Sequence, residues 1–128
     1  MVEIGAKKVL VVEDDRFLSA LLERRLVKEG FHVLLAEDGD RALEIMRLEK
    51  PHLTILDIIL PKKSGFEVMG LVQQEPSLQT GPIVVMTNLG QEDDVARGKS
   101  LGALEYFIKA KTSIEEIVQK VKAIVGGM

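Results

Sequence analysis

Five short runs of β-branched and aliphatic residues, each followed by a longer stretch with helical spacing, limit what this chain can fold into. The runs fall at 8–12 (K-V-L-V-V), 31–36, 52–56, 83–86 and 104–108. They are continuously apolar rather than alternating, the pattern of strands buried on both faces of a parallel sheet. Between them, Phe17, Leu18, Leu21, Leu22 and Leu26 recur at helical spacing until Gly30. Ala42, Leu43, Ile45 and Met46 follow Asp38-Gly39-Asp40 and stop before Pro51. Phe66, Val68, Met69, Leu71 and Val72 follow a loop containing Pro61 and Ser64, a turn residue and a helix cap. A weaker helix spans 91–101, because Gly98 inside it costs about 1 kcal/mol relative to Ala. Ile114, Ile117, Val118, Val121, Ile124 and Val125 form a last helix, capped by Thr112 or Ser113 with Glu115 and Glu116 in its first turn. Five such units predict one doubly wound α/β domain over residues 1–128, a five-stranded parallel sheet with helices on both faces.

Composition narrows the function. With no cysteine, the chain has no disulfide framework, thiolate metal site or thiol nucleophile. Its net charge of −3 gives no basic footprint for direct nucleic-acid binding. The longest apolar runs are four residues, far short of the roughly 18 that a membrane-spanning helix needs. The opening residues lack the apolar stretch of a secretion signal, so the expected location is cytoplasmic.

In open α/β sheets, ligands bind beyond the carboxyl ends of the strands. Glu13, Asp14 and Asp15 follow the first run, Asp57 the third, Thr87 the fourth and Lys109 the fifth. Taken singly, each has an ordinary reading: helix caps for the acidic triplet, a turn residue, a strand residue, a surface lysine. Asp57, however, stands between Leu53-Thr54-Ile55-Leu56 and Ile58-Ile59-Leu60, and a carboxylate in so apolar a stretch needs a compensating charge. Acids sharing one crevice with a lysine are satisfied by an ion pair plus a divalent cation. Oxygen ligands without His or Cys select Mg²⁺ or a similar ion. His32 and His52 lie near strand starts, away from that crevice, and are not expected to be ligands.

These residues carry a family resemblance. The chain resembles, over residues 8–125, the receiver domain of two-component response regulators, of the single-domain chemotaxis type. The motifs are V-V-E-D at 11–14, L-D-I-I-L-P-K-K-S-G at 56–65, V-V-M-T-N at 84–88 and G-A-L-E-Y-F-I-K at 102–109. The resemblance implies a flavodoxin-like receiver fold with strand order 2-1-3-4-5. It implies Asp57 as phosphoacceptor, Asp14 as a direct Mg²⁺ ligand, Glu13 acting on the ion through water, and the backbone carbonyl of Ile59 as a further ligand. Thr87 then binds the phosphoryl group, Lys109 pairs with it, and Tyr106 is the aromatic whose rotamer follows Thr87. Implied partners are a sensor histidine kinase or phosphotransfer protein as donor and an unidentified effector that reads the face formed by the fourth helix, fifth strand and fifth helix. The chain is expected to be a monomer or weak dimer. It would not be an enzyme but a phosphoacceptor that assists its own phosphorylation and dephosphorylation.

Three departures bear on that picture. Ala110 follows Lys109 where the family usually has Pro, so a cis peptide there is less assured, at about 3 kcal/mol for a non-proline residue. Asn88 follows Thr87 where Ala is common, a larger side chain beside the site. Ile59 and Leu89 are apolar at flanking positions and are expected to exclude the hydrolytic water, prolonging the phosphorylated state.

Other readings are weaker. A phosphatase with an aspartate nucleophile would need a second Asp where Ile59 stands. An FMN binder would want a phosphate loop where Glu13-Asp14-Asp15 would repel it, and a P-loop is absent. Two alternatives remain open from the residues alone. One is a receiver-like interaction module that binds partners without phosphorylation. The other is the receiver portion of a larger transcription factor or hybrid kinase.

Overall fold

The computed structural model describes residues 6–128; residues 1–5, where the expectation about a secretion signal begins, lie outside the described residues. Five strand–helix units follow one another: β1 (Lys8–Val12), α1 (Arg16–Lys28), β2 (His32–Ala36), α2 (Gly39–Glu49), β3 (Leu53–Leu56), α3 (Gly65–Gln74), β4 (Ile83–Thr87), α4 (Glu92–Ser100), β5 (Ala103–Ile108) and α5 (Ile114–Gly126). A 3₁₀ turn at Lys109–Lys111, not anticipated from the sequence, joins β5 to α5. The strands form one sheet in the order β2-β1-β3-β4-β5, every neighbouring pair parallel. Among the described residues, no helix is long and apolar enough to cross a membrane.

The strands are apolar throughout because both faces are covered. Val9, Val11, Ile55, Val84 and Met86 point toward α1 and α5, where they meet Leu22, Leu26, Ile117, Val118 and Val121. Leu10, Val12, Leu56 and Val85 point the other way, against Ala42, Met46, Val68 and Met69 of α2 and α3. Each such side chain, fully withdrawn from water, contributes about 1.5–3 kcal/mol. The edge strand β2 is only partly covered and leaves Leu35 exposed.

Helix starts are set by side-chain caps, each worth about 1 kcal/mol. Asp15 accepts the N–H groups of Phe17 and Leu18, and Asp38 that of Arg41. Ser64 and Ser113 form capping boxes with Glu67 and Glu116. Of the two candidates for α5, Ser113 is the cap.

Strand ends differ from the sequence expectation for identifiable reasons. The Phe31 N–H is taken by Leu26 O at the end of α1 (3.2 Å), so β2 begins one residue later. β4 runs on to Thr87, which stands opposite Ile108, and β5 begins at Ala103, opposite Ile83. His52 precedes β3 because its ring takes part in the pairing: Lys8 N–H donates to His52 Nδ1 at 2.9 Å, while His52 N–H donates to Lys8 O at 2.8 Å.

An imidazole accepting at Nδ1 must be unprotonated there. Burial, then the positive charges of Lys7 and Lys8, hold His52 below its ordinary value of 6.5. A histidine depressed in the folded state binds its proton more readily when unfolded. Its contribution is therefore complete above about pH 6.5 and is lost as pH falls through the lower, folded value. Stability measured by urea unfolding should decline across that window, and His52→Gln should flatten the decline.

Candidate functional site

Strand register builds the site. Val12 stands opposite Leu56 across the β1–β3 pair, so the next residues, Glu13 and Asp57, emerge side by side. On the far side of β3, Thr87 pairs with Ile108, which brings Lys109 to the same edge. Backbone bonds fix the exits: Glu13 N–H donates to Ala36 O and Asp57 N–H to Val12 O, both at 3.0 Å.

Glu13 and Asp57 are 1% and 3% exposed, and Lys109 answers both. Its Nζ donates to Asp57 Oδ2 at 2.7 Å and lies 2.6 Å from Glu13 Oε1. Asp57 Oδ1 accepts the N–H of Ile59 at 3.1 Å. Burial raises the Glu13 carboxyl above its ordinary value and the charge of Asp57 adds to that, against the lowering by its bonds from Lys109 and the Asp15 N–H. Burial also works against the Lys109 charge, but the bonds to Asp57 and Glu13 outweigh it and hold the ammonium above its usual range. Asp15 leaves the cluster, because its carboxylate caps α1 while its N–H donates to Glu13 Oε2 at 3.0 Å. Asp14 is exposed and joins instead: Glu13, Asp14 and Asp57 each offer a carboxylate oxygen, all within 4.8 Å of one another.

That donor set fits a hard divalent cation. Three carboxylates face one ammonium, the donors are all oxygen, and the buried Glu13 Oε1 has no partner but that ammonium. The bend carrying the Ile59 carbonyl directly follows Asp57.

Thr87 is fully buried, and its Oγ1 accepts the N–H of Leu89 at 3.4 Å, leaving the hydroxyl proton free to donate elsewhere. Tyr106 is half-buried and donates to Leu89 O at 2.7 Å, so its hydroxyl meets the loop after Thr87 rather than Thr87 itself. Asn88 is exposed, Ile59 is 53% exposed, and Leu89 packs on the core under α2 and α3. The Lys109–Ala110 peptide is trans. A cavity of about 590 Å³ lined by Glu105, Phe107, Ser113 and Lys120 lies beside β5 and α5 and shares no residue with this cluster.

Two features went unread in the sequence. Gly65 presses on the site, since a Cβ there would fall 2.4 Å from Asp57 O and 2.7 Å from Ile58 Cα. Its place after Ser64 at a helix start was the available signal. The loop between β3 and α3 is also tied to the start of α2, where Lys63 Nζ pairs with Asp40 at 2.6 Å and Lys62, in the left-handed region, lies 3.6 Å from Asp38. Nothing in the spacing announced those pairs.

Comparison with known proteins agrees with this geometry. The family model for the response regulator receiver domain matches residues 9–122. The alkaline phosphatase synthesis transcriptional regulatory protein PhoP of Bacillus subtilis is 39% identical over 118 residues, 92% of this chain and 48% of that protein. The transcriptional regulatory protein CpxR of Escherichia coli K12 is 38% identical over 117 residues, 91% of this chain and 48% of that protein. The chain thus spans about half the length of the curated relatives it matches. The BeF3-activated N-terminal receiver domain of Klebsiella pneumoniae RstA superposes with a TM-score of 0.83 at 30% identity, covering 93% of this chain and 98% of that one.

Removing the ammonium should leave two buried carboxylates without their counter-charge. Lys109→Met is expected to lower stability at neutral pH by about 3 kcal/mol, measured by urea unfolding, with part of the loss restored by millimolar divalent cation.

Proposed function

From the membership of this chain in the response regulator receiver family, we propose that it is a signalling switch set by reversible phosphorylation of Asp57. The observation that carries the proposal is the arrangement at the strand tips: a buried aspartate 2.7 Å from a lysine ammonium, with two further carboxylates within 4.8 Å.

A carboxylate is a poor nucleophile toward a phosphoryl group because like charges repel. Glu13, Asp14 and Asp57, with the carbonyl of Ile59, would hold Mg²⁺, which when bound supplies positive charge to the phosphoryl oxygens. The protein's own groups do the rest. The Ile59 N–H fixes one oxygen of Asp57 and so orients the carboxylate. An Asp57 oxygen attacks phosphorus as the bond to the donor's leaving atom breaks, and that atom departs with the bonding electron pair. Lys109, already beside Asp57, moves its charge onto a phosphoryl oxygen, and the Thr87 hydroxyl donates its proton to another. The product is an aspartyl phosphate, a covalent state that persists as a signal.

The donor is a phosphohistidine on a sensor kinase or phosphotransfer protein, or a small acyl phosphate. The chain is a phosphoacceptor assisting its own loading and hydrolysis, not an enzyme acting on a separate substrate. The output is a population shift on the face formed by α4, β5 and α5, read by an effector protein. The length of its transcription-regulator relatives, about twice that of this chain, supports a second reading in which this is the receiver portion of such a regulator.

Incubation with acetyl phosphate and Mg²⁺, followed by mass spectrometry, should show one added phosphoryl group, absent in Asp57→Ala and absent when the cation is chelated. No labelling of the wild type would favour the phosphorylation-independent interaction module. Mg²⁺ alone should raise the unfolding midpoint, by about 2.7 kcal/mol of added stability at a hundredfold excess over its dissociation constant, and Asp14→Ala should remove most of that gain.

Of the two side chains expected to exclude water, Ile59 is the exposed one. Ile59→Asn should shorten the phosphoryl lifetime by about tenfold, a barrier change near 1.4 kcal/mol, followed as loss of the labelled mass with time.

A further inference from the structure

α4 is held by very little. Asp94 and Val95 are half-buried, Gly98 is its one buried residue, and the remaining side chains are exposed. Gln91 at the N-cap makes no side-chain cap bond. A glycine inside such a helix further weakens it and offers no apolar surface to the core, so its presence calls for a physical reason. The reason lies against it. A Cβ built on Gly98 would fall 2.7 Å from both Cδ2 and Cε2 of Tyr106, and 3.9 Å from Cε1 of Phe66. The Phe66 ring is covered in turn by the Arg97 guanidinium, 4.3 Å from its centroid. At 2.7 Å a methyl and an aromatic carbon overlap, so a side chain at position 98 and the ring in its present place exclude each other.

From the ring, contacts continue into the phosphorylation site. Tyr106 donates to Leu89 O at 2.7 Å, and Leu89 N–H donates to Thr87 Oγ1 at 3.4 Å. One side chain therefore occupies the bare backbone of α4 at one end and ties down the loop after Thr87 at the other.

We propose that Gly98 is a positioning residue: the missing side chain on the buried face of α4 is the seat of the Tyr106 ring, so ring position and α4 packing form a single equilibrium. If the ring leaves, α4 loses its contact at Gly98 and Leu89 O loses its donor together. The link to signalling rests on the function proposed above for Thr87; the seat itself does not. The competing explanation, that glycine only loosens the helix, makes the opposite forecast. Alanine would then raise helix propensity, stabilise the protein and leave the ring where it is.

Tyr106 is the one tyrosine in a chain with no tryptophan, so its fluorescence and the ¹⁹F resonance of biosynthetically incorporated fluorotyrosine report this ring alone. In Gly98→Ala, the ring population should shift toward the exposed position by about tenfold, seen as greater acrylamide quenching and a solvent-like ¹⁹F shift. The change that beryllofluoride with Mg²⁺ induces in these signals should shrink correspondingly. Gly98→Ala should fail to raise the melting temperature in the parent, yet raise it in a Tyr106→Ala background, where no ring needs the space; this second background keeps the test decisive if the single variant folds poorly. Unchanged quenching and ¹⁹F shift in Gly98→Ala, or the same rise in melting temperature in both backgrounds, would overturn the proposal. Acetyl phosphate labelling of Asp57, measured alongside, judges the functional reading separately, since the ring signals require no phosphorylation.

Discussion

Two carboxylates buried at the end of a sheet can stay where they are only because one ammonium sits between them. Glu13 and Asp57 are nearly sealed from water, and Lys109 lies within 2.7 Å of an oxygen on each. Buried charge without a partner is among the most expensive features a fold can carry, so this contact dictates what surrounds it. The tips of β1, β3 and β5 must arrive together, and the register of the parallel pairs brings them there. The compensation is also incomplete. One positive charge among three acids leaves the cluster short of cation, and that shortfall is what suits it to attract a divalent ion.

Around this centre the chain divides its labour by position along each strand. Alternate residues serve opposite faces, one packed by α1 and α5 and the other by α2 and α3. The first residues past β1, β3 and β5, Glu13, Asp57 and Lys109, form the charged cluster. Tight packing reaches into the site as well: Gly65 has no side chain because the backbone of Asp57 and Ile58 occupies that space. The loop after Asp57 is thus gripped from α3 by close contact and from α2 by the Lys62 and Lys63 pairs.

Much of this was legible before any coordinates. Continuous apolar runs point to the parallel sheet, and among the residues ending them Glu13, Asp14, Asp57 and Lys109 do lie together, with Thr87 at the end of the adjacent strand β4. Strand limits were harder, because they depend on where individual N–H groups find acceptors. Phe31 is claimed by α1, and the His52 ring substitutes for a ladder partner. The acidic triplet looked uniform in sequence, yet geometry separates it, sending Asp15 to a cap and leaving the other two at the cluster. Leu89, expected to help shield the site, is half-buried and packs against the core on the α2 and α3 face. Its neighbours in space, not in sequence, decide that, and the same holds for the contact between Gly98 and Tyr106.

Asp15 joins two parts of the molecule that could otherwise be adjusted apart. Its amide is held by the buried glutamate and its carboxylate holds the opening turn of α1. The first helix therefore hangs from the electrostatic centre by a single residue, like a door on the post that also carries the lock. Any sequence drift that refits the helix to a new neighbour must leave that hinge intact or disturb the charges beside it.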